Sequence, residues 1–149
     1  MCNCNNNNEG GNCVAEILRV ICVLQQNVNL ENALETCDRP MLGGANCKSI
    51  QCNTRPVMLY TCCGNGVPFS MPTSKDSTVS CPQAGSDECS NVFRVEKIEG
   101  NCCTFRVLAR NVGPNCQDQF VATNSFFTMN LDCCCACRCL SDTFVDCLC

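Results

Sequence analysis

The chain has 149 residues, of which 21 are cysteine and none is histidine or tryptophan. Cysteine above roughly 8–10 % of a chain is typical of scaffolds held together by disulfides or metal ions. Without histidine there is no usual general base near neutral pH and no Cys-His or Ser-His pair, so most familiar hydrolytic enzymes are excluded. The net charge of −4 also argues against a protein that binds nucleic acid by neutralising phosphates.

No apolar run reaches the length of a membrane span, since the longest candidate, Val14 to Leu24, is interrupted by Glu16 and Arg19. We therefore expect no membrane insertion. The first residues, Met1 to Asn8, lack a basic region followed by an apolar region, so we expect no signal peptide and synthesis in the cytoplasm. Disulfide-rich chains, however, belong in oxidising compartments. Three possibilities stay open: the thiols bind metal, they stay reduced, or they meet oxidant only after synthesis.

The chain begins with a polar segment, residues 1–12, that is rich in asparagine and holds Cys2 and Cys4. It has too few apolar residues to offset its ordering entropy, so we expect a flexible arm. Over residues 13–28 apolar side chains recur at helical spacing after Asn12, a potential N-cap, which predicts a helix. The pattern also allows a second short helix over 30–36, ending before Pro40.

After Pro40 the sequence changes to short β-type runs separated by turn residues. The clearest hairpin joins 92–98 to 102–109, because apolar and polar side chains alternate in both runs. Residues 70–90, with Cys81 and Cys89, are expected to form a long surface loop. Further strands are predicted at 56–62, 119–122 and 125–131, with a turn at 64–66 that leads to an extended segment at 67–69.

This succession of short strands after one helix predicts a mainly β fold. We expect a small β-sandwich or partly open barrel, with the N-terminal helix covering one end or edge. Residues 13–149 should form a single domain. Its C-terminal segment, 133–149, contains seven of the cysteines.

A metal site is one explanation for these cysteines. The run Cys135-Ala136-Cys137-Arg138-Cys139 supplies pairs that can chelate, but no second Cys-x-x-Cys pair accompanies Cys134 and Cys137. We therefore assign no metal and no cofactor, and keep a thiolate protein that binds Zn or Cu as the alternative. A redox enzyme would need a Cys-x-x-Cys motif in a βαβ context, which the sequence lacks.

Disulfide cross-linking is the other explanation. Adjacent cysteines in strand-like context point to opposite faces, so one of each pair is directed outward or to a second layer. Candidates for cross-linking or intradomain disulfides are Cys62, Cys63, Cys102, Cys103, Cys133, Cys134, Cys135, Cys137 and Cys139. Cysteines near the chain ends can reach a neighbouring chain, and the candidates for intermolecular disulfides are Cys2, Cys4, Cys147 and Cys149. Cys22, in the helix, is interpreted as an inert buried thiol.

Charged residues offer weaker signals. Arg55, Arg94 and Glu96 are candidate lattice contacts, since an arginine side chain can bind a carboxylate at two points, but solvated surface charge explains them equally well. The acidic residues Asp132, Asp142 and Asp146 lack the spacing of a calcium loop and are interpreted as surface charges or helix caps.

Four motifs resemble a known family. They are NTRPVMLYT at 53–61, FRVE at 93–96, RVL at 106–108, and the closing NLD at 130–132 with CA at 135–136 and CL at 139–140. In this order they resemble the spore coat protein Y/Z family of endospore-forming bacteria, which includes the cysteine-rich proteins of the exosporium basal layer. The similarity extends from about Val14 to the C-terminus.

The resemblance implies a non-enzymatic structural protein that self-assembles into a two-dimensional, often hexagonal lattice stabilised by disulfides. Its partners would be further copies of itself, in hexameric rings or sheets, and other coat or exosporium proteins. Such a protein is made in the mother-cell cytoplasm and is cross-linked at the spore surface, where it contributes to a protective and permeability barrier. Synthesis in the cytoplasm followed by oxidation at the spore surface would explain how a cysteine-rich chain without a signal peptide acquires disulfides.

Overall fold

The computed structural model describes residues 12–26, 52–81, 87–111 and 119–145. The predicted arm before residue 12, the short helix at 30–36 and the chain end after residue 145 lie outside these ranges. The elements, in chain order, are α1 (Cys13–Gln26), β1 (Val57–Thr61), β2 (Met71–Pro72), β3 (Cys89–Ser90), β4 (Phe93–Glu99), β5 (Cys102–Arg110), β6 (Phe120–Asn130), a short 3-10 helix (Leu131–Cys133) and β7 (Cys134–Cys139).

The strands form two antiparallel sheets. The larger sheet has five strands in the order β6-β5-β4-β1-β7, and β2 pairs with β3 in the smaller one. Within the described part of the chain β6 and β7 are the two edges of the larger sheet, which therefore does not close into a barrel. The prediction of a mainly β fold with an N-terminal helix is confirmed, in the form of an open sandwich.

Helix α1 begins where the sequence predicts, at an asparagine cap. The Asn12 side-chain oxygen accepts hydrogen bonds from the backbone N–H groups of Val14 and Ala15, at 3.1 and 3.3 Å. One face of the helix packs on the sheet through the buried residues Val14, Ala15, Leu18, Ile21, Cys22 and Gln25. Among the described residues no helix is long and apolar enough to cross a membrane.

The predicted hairpin is present as β4 and β5, and its turn contains Gly100 with φ +58°. The two strands predicted at 119–122 and 125–131 are instead one long strand, β6. A register shift opposite Val107 explains the apparent break, because the Thr123 hydroxyl donates to the Val107 carbonyl oxygen at 2.6 Å and locally interrupts the pairing. Strand β7 was not predicted, since its CCACRC sequence has little alternation of apolar and charged residues.

Two further details of the sequence prediction need correction. Residues 67–69 form no strand, although the Phe69 N–H donates to the Leu59 carbonyl oxygen at 2.8 Å. The expected surface loop at 70–90 contains β2 and β3, which are held together as well by the Cys81–Cys89 disulfide. Sequence-local pairing therefore gives this segment more structure than its composition suggests.

Aromatic packing fills the space between helix and sheet. The rings of Phe69, Phe93, Phe105 and Phe127 contact one another, with centroid separations from 4.8 to 6.2 Å. Phe93 and Phe105 are fully buried on β4 and β5, at the same face as Val95 and Val107. Burial of these side chains supplies the main apolar driving force for the domain.

A buried ion pair joins the segment before β1 to the segment after β7. The guanidinium of Arg55 donates to both carboxylate oxygens of Asp142, at 2.8 and 3.0 Å, and the two side chains are 3 % and 6 % exposed. Gln25 of α1 accepts from the Arg55 N–H and donates to the Val95 carbonyl oxygen. The surface interpretation of Arg55 and Asp142 is therefore wrong, because each charge is buried against the other.

We expect Arg55→Ala to lower the free energy of unfolding by about 3–5 kcal/mol, because it leaves the Asp142 carboxylate buried without its guanidinium. Lys97→Ala is the matched control. It removes the exposed ion pair between Lys97 and Glu99, whose side chains are 62 % and 71 % exposed, and should cost about 0–1 kcal/mol. Urea denaturation measures both; equal effects of the two variants would contradict the assigned role of Arg55.

Candidate functional site

The cysteines of the described residues are either free thiols or disulfide-bonded. The free thiols of Cys13, Cys102 and Cys133 are exposed, those of Cys22, Cys103 and Cys134 are buried, and Cys137 is intermediate. Disulfides join Cys62 to Cys135 and Cys81 to Cys89. Cys52, Cys63 and Cys139 are also disulfide-bonded. The protein thus combines reactive thiols with disulfides in one small fold.

The three exposed thiols lie at one end of the domain because α1, β5 and the exit from β6 meet there. The side-chain amide of Asn12 donates to the Leu131 carbonyl oxygen at 3.0 Å, which places the start of α1, and hence Cys13, at the end of β6. The Leu131 N–H donates to the Asn101 carbonyl oxygen at 2.8 Å, directly before Cys102. Cys102 is also paired with Asn130 across the sheet.

The Cys62–Cys135 disulfide belongs to the same end. The Cys62 N–H donates to the Cys133 carbonyl oxygen at 3.2 Å, so the backbones of these two cysteines are directly adjacent. Cys62 and Cys135 are both exposed, and 73 residues separate them in sequence. We call the set formed by Cys13, Cys102, Cys133 and the Cys62–Cys135 disulfide the cysteine-rich end.

Strand alternation explains which cysteines face solvent. On β5, Cys102 is exposed and Cys103 is fully buried, as expected for adjacent residues of a strand. Cys62 and Cys63 follow β1 and lie in a turn, so both are exposed rather than divided between two faces. The expected division between two faces is therefore found for Cys102 and Cys103, and it is wrong for Cys62 and Cys63, because β1 ends at Thr61 before them.

Burial makes the interior thiols poor nucleophiles. Burial, with smaller contributions from the neighbouring thiols of Cys22, Cys137 and Cys134, raises the pKa of Cys103 to about 12. Burial likewise raises the pKa of Cys137 to about 12, with a contribution from Cys134. The pKa values of Cys22 and Cys134 are also raised by burial. Because the thiolate is the reactive form, burial lowers the reactivity of these four cysteines near neutral pH.

The run Cys135, Cys137, Cys139 does not act as a chelating motif in this structure. Its first and last members are in disulfides, and Cys137 is turned into the half-buried zone beside the core. Across the described ranges no group of three or more histidine, cysteine or acidic residues has a geometry that could hold a metal ion. These three cysteines are alternate residues of β7, and two of them form disulfides.

The charged candidates Arg94 and Glu96 interact with each other on β4. The Glu96 carboxylate is 3.1 Å from Arg94 and accepts a hydrogen bond from Arg106 at 2.9 Å, while Arg94 also donates to the Thr54 hydroxyl at 2.9 Å. Arg94 and Glu96 are 11 % and 23 % exposed. This network joins β4 to β5 and to the segment before β1, and a lattice role for either residue stays a prediction.

Sequence reasoning overlooked Cys13 as a candidate site residue. A signal was available, because Cys13 precedes the apolar stripe that begins at Val14, so a helix that starts there directs it to solvent. The candidates at the chain ends, Cys2, Cys4, Cys147 and Cys149, lie outside the described residues, and their role stays a prediction.

Comparison with known proteins assigns the family. A family model described as spore coat protein Z matches residues 2–119. The chain belongs to the spore coat protein Z family. The family supports a structural role at the spore surface. No curated protein and no solved structure matches the chain. The spore coat match ends before β6, so Cys133 and Cys135 of the cysteine-rich end lie beyond it.

We expect alkylation of the native spore coat protein at neutral pH to separate exposed from buried thiols. Iodoacetamide should modify Cys13, Cys102 and Cys133 at least about ten times faster than Cys103 or Cys134, since the former are exposed, whereas burial shields the latter from the reagent and raises their pKa. Peptide mass mapping over time measures the rates. Cys102 and Cys103 form an internal matched pair, and equal labelling of the two would contradict the assigned burial.

Proposed function

We propose that this spore coat protein assembles with copies of itself into a two-dimensional lattice that disulfides cross-link, as a protective and permeability barrier in the coat or exosporium. The observation that carries the proposal is the cysteine-rich end. Three exposed free thiols and the exposed Cys62–Cys135 disulfide are held together on a folded domain, where a neighbouring chain can reach them.

The open sheet supports self-association. Strand β6 is an edge of the larger sheet over the described residues, and its 11 residues include no charged side chain. Natural edge strands commonly carry charges or proline that prevent pairing with another chain, and β6 has neither. Two of its apolar side chains, Val121 and Phe126, are 38 % and 46 % exposed. An interface that covers β6 would pair its free edge and would also bury the side chains of Val121 and Phe126.

Folding and cross-linking can be separate steps. The aromatic cluster and the face of α1 build an apolar core whose buried cysteines, Cys22, Cys103 and Cys134, are free thiols, while the disulfide-bonded Cys139 packs at its margin. A chain made reduced in the mother-cell cytoplasm would fold first, and oxidising conditions at the spore surface would then lock packed neighbours together. Partners in this scheme are copies of the chain, in hexameric rings or sheets, and other coat or exosporium proteins, without nucleic acid.

The alternative role, a thiolate protein that binds Zn or Cu, has less support. The four interior thiols lie close enough to influence one another's pKa, but burial favours their protonated form. Metal analysis of protein purified without chelator separates the two roles, because a thiolate metal protein would retain a stoichiometric ion.

Purified protein should form ordered sheets or rings without any added partner. Electron microscopy of negatively stained samples, with light scattering in parallel, tests this at several concentrations under non-reducing conditions. With reductant the same assemblies should still form but should dissociate at lower temperature, since packing builds them and disulfides lock them. A constant monomer mass at all concentrations would overturn the proposed function.

The chain ends provide a second test of cross-linking. The double variant Cys2→Ser, Cys4→Ser should fold normally but release more monomer when assemblies are boiled in detergent without reductant, because end cysteines can reach a neighbouring chain. The double variant Cys81→Ser, Cys89→Ser removes two cysteines that pair within one chain, and it should leave extraction unchanged. Equal resistance of the first variant and the parent would exclude the two N-terminal cysteines as cross-links.

A further inference from the structure

We infer that the Cys62–Cys135 disulfide is the acceptor in a thiol–disulfide exchange through which an exposed thiol of a second copy of this chain forms the intermolecular bond. The inference rests on the proposed function and specifies its chemistry. Once oxidising conditions have formed the Cys62–Cys135 bond within each chain, the exchange step that links two chains consumes no further oxidant, because thiol–disulfide exchange keeps the number of disulfides constant.

The geometry of the cysteine-rich end supports an exchange site. Both half-cystines are exposed, which an attacking thiolate requires, and the free Cys133 is adjacent through the hydrogen bond from Cys62 N–H to its carbonyl oxygen. Cys102 and Cys13 lie at the same end through the contacts of Asn101 and Asn12 with Leu131. Nucleophile and acceptor are thus presented on one surface of the same molecule.

This arrangement suits a pair of identical chains. In a two-fold interface the same surface of each chain meets its counterpart, so a group on one chain contacts a different group on the other, and reciprocally. If two cysteine-rich ends meet in this way, the exposed thiols of each chain face the Cys62–Cys135 disulfide of the other. One two-fold interface then contains two exchange sites, each with the thiols of one chain and the disulfide of the other.

The reaction balances without a further reagent. The thiolate of Cys13, Cys102 or Cys133 of one chain attacks the sulfur of Cys62 or Cys135 of the other, and a new S–S bond forms between the chains. The bond between Cys62 and Cys135 breaks, and its electron pair leaves on the other half-cystine as a thiolate, which water protonates. One disulfide is lost and one is formed, so the number of free thiols stays constant. The released thiol can attack a third copy.

The Cys81–Cys89 disulfide and the buried thiols are less suited to this step. The Cys81–Cys89 disulfide spans only 8 residues and is half-buried in the small sheet, where the neighbouring Ser90 hydroxyl donates to the carbonyl oxygen of Leu108. Leu108 is six residues along β5 from Cys102, which places this disulfide about 20 Å from the cysteine-rich end at 3.3 Å per strand residue. The thiols of Cys22, Cys103 and Cys134 are enclosed in the core.

The test uses full-length monomer in which peptide mapping has verified the Cys62–Cys135 disulfide. The protein is concentrated in an oxygen-free chamber with chelator, and non-reducing gels and thiol titration follow the reaction. We expect dimers and larger species to appear while the number of free thiols per chain stays constant. Mapping should place the new bond between Cys62 or Cys135 and one of Cys13, Cys102 and Cys133.

Three variants complete the experiment. Both Cys62→Ser, Cys135→Ser and the triple variant Cys13→Ser, Cys102→Ser, Cys133→Ser should slow oxygen-free cross-linking about ten-fold or more, because each lacks one reactant. The matched control Cys81→Ser, Cys89→Ser should cross-link at the parent rate. If loss of the Cys62–Cys135 bond impairs folding, as judged by circular dichroism, the triple variant decides, since it keeps every described disulfide.

The outcomes separate this inference from the proposed function. Cross-linking that requires oxygen and lowers the thiol count would overturn exchange but leave a disulfide-linked lattice in place. Oxygen-free cross-linking at the parent rate in the Cys62→Ser, Cys135→Ser variant would also overturn it. Ordered assembly without covalent links under either condition would refute both the exchange and the cross-linked lattice.

Discussion

The passage of the chain from β6 into β7 determines how the cysteines are arranged. Leu131 is fully buried at this point; its backbone N–H donates to the Asn101 carbonyl oxygen, and its own carbonyl oxygen accepts from the Asn12 side chain and from the Cys134 N–H. A buried backbone group without a partner would cost free energy, so the hydrogen bonds with Asn101 and Asn12 constrain both neighbours. They bring the β4–β5 turn and the start of α1 to the same place, and the exposed cysteines with them.

Burial then divides residues of identical chemistry into two classes. Cys102 and Cys103 are adjacent in the chain, yet one is exposed and the pKa of the other is raised to about 12 by burial. The buried cysteines behave as small apolar side chains, packed in the same core as Val57, Leu59 and Phe105. A high cysteine content is therefore compatible with a small, defined set of reactive positions, provided that the fold shields the others.

A buried polar group of three residues, Gln25, Arg55 and Asp142, orients the remaining parts of the fold. It connects α1 with the segments on either side of the β1–β7 pair. Replacing such a group with apolar residues is often neutral for stability, whereas breaking it is costly, so its best-attested use is in specifying one arrangement over others. In this spore coat protein, that arrangement is the one in which β7 pairs with β1 and Cys135 lies beside Cys62.

Local pattern was sufficient for the elements whose signal is local. The helical spacing after Asn12 and the alternation in 92–98 and 102–109 predicted α1 and the β4–β5 hairpin, because a single periodicity decides which face of each is buried. The cysteine content and the order of motifs predicted the spore coat family. By contrast, β7 has no clear alternation, and β6 was divided in two because a register shift resembles a strand end in sequence.

Only the tertiary structure decided which cysteines are neighbours and which charges are buried. The Cys62–Cys135 pairing spans 73 residues and follows from β7 lying against β1, an order that no local pattern specifies. The Arg55–Asp142 pair likewise joins residues far apart in sequence, so from sequence alone both charges resembled surface residues. The sequence determined the number of thiols and the local elements that carry them. Their exposure, reactivity and partners depend on strand order and packing, which bring distant segments together.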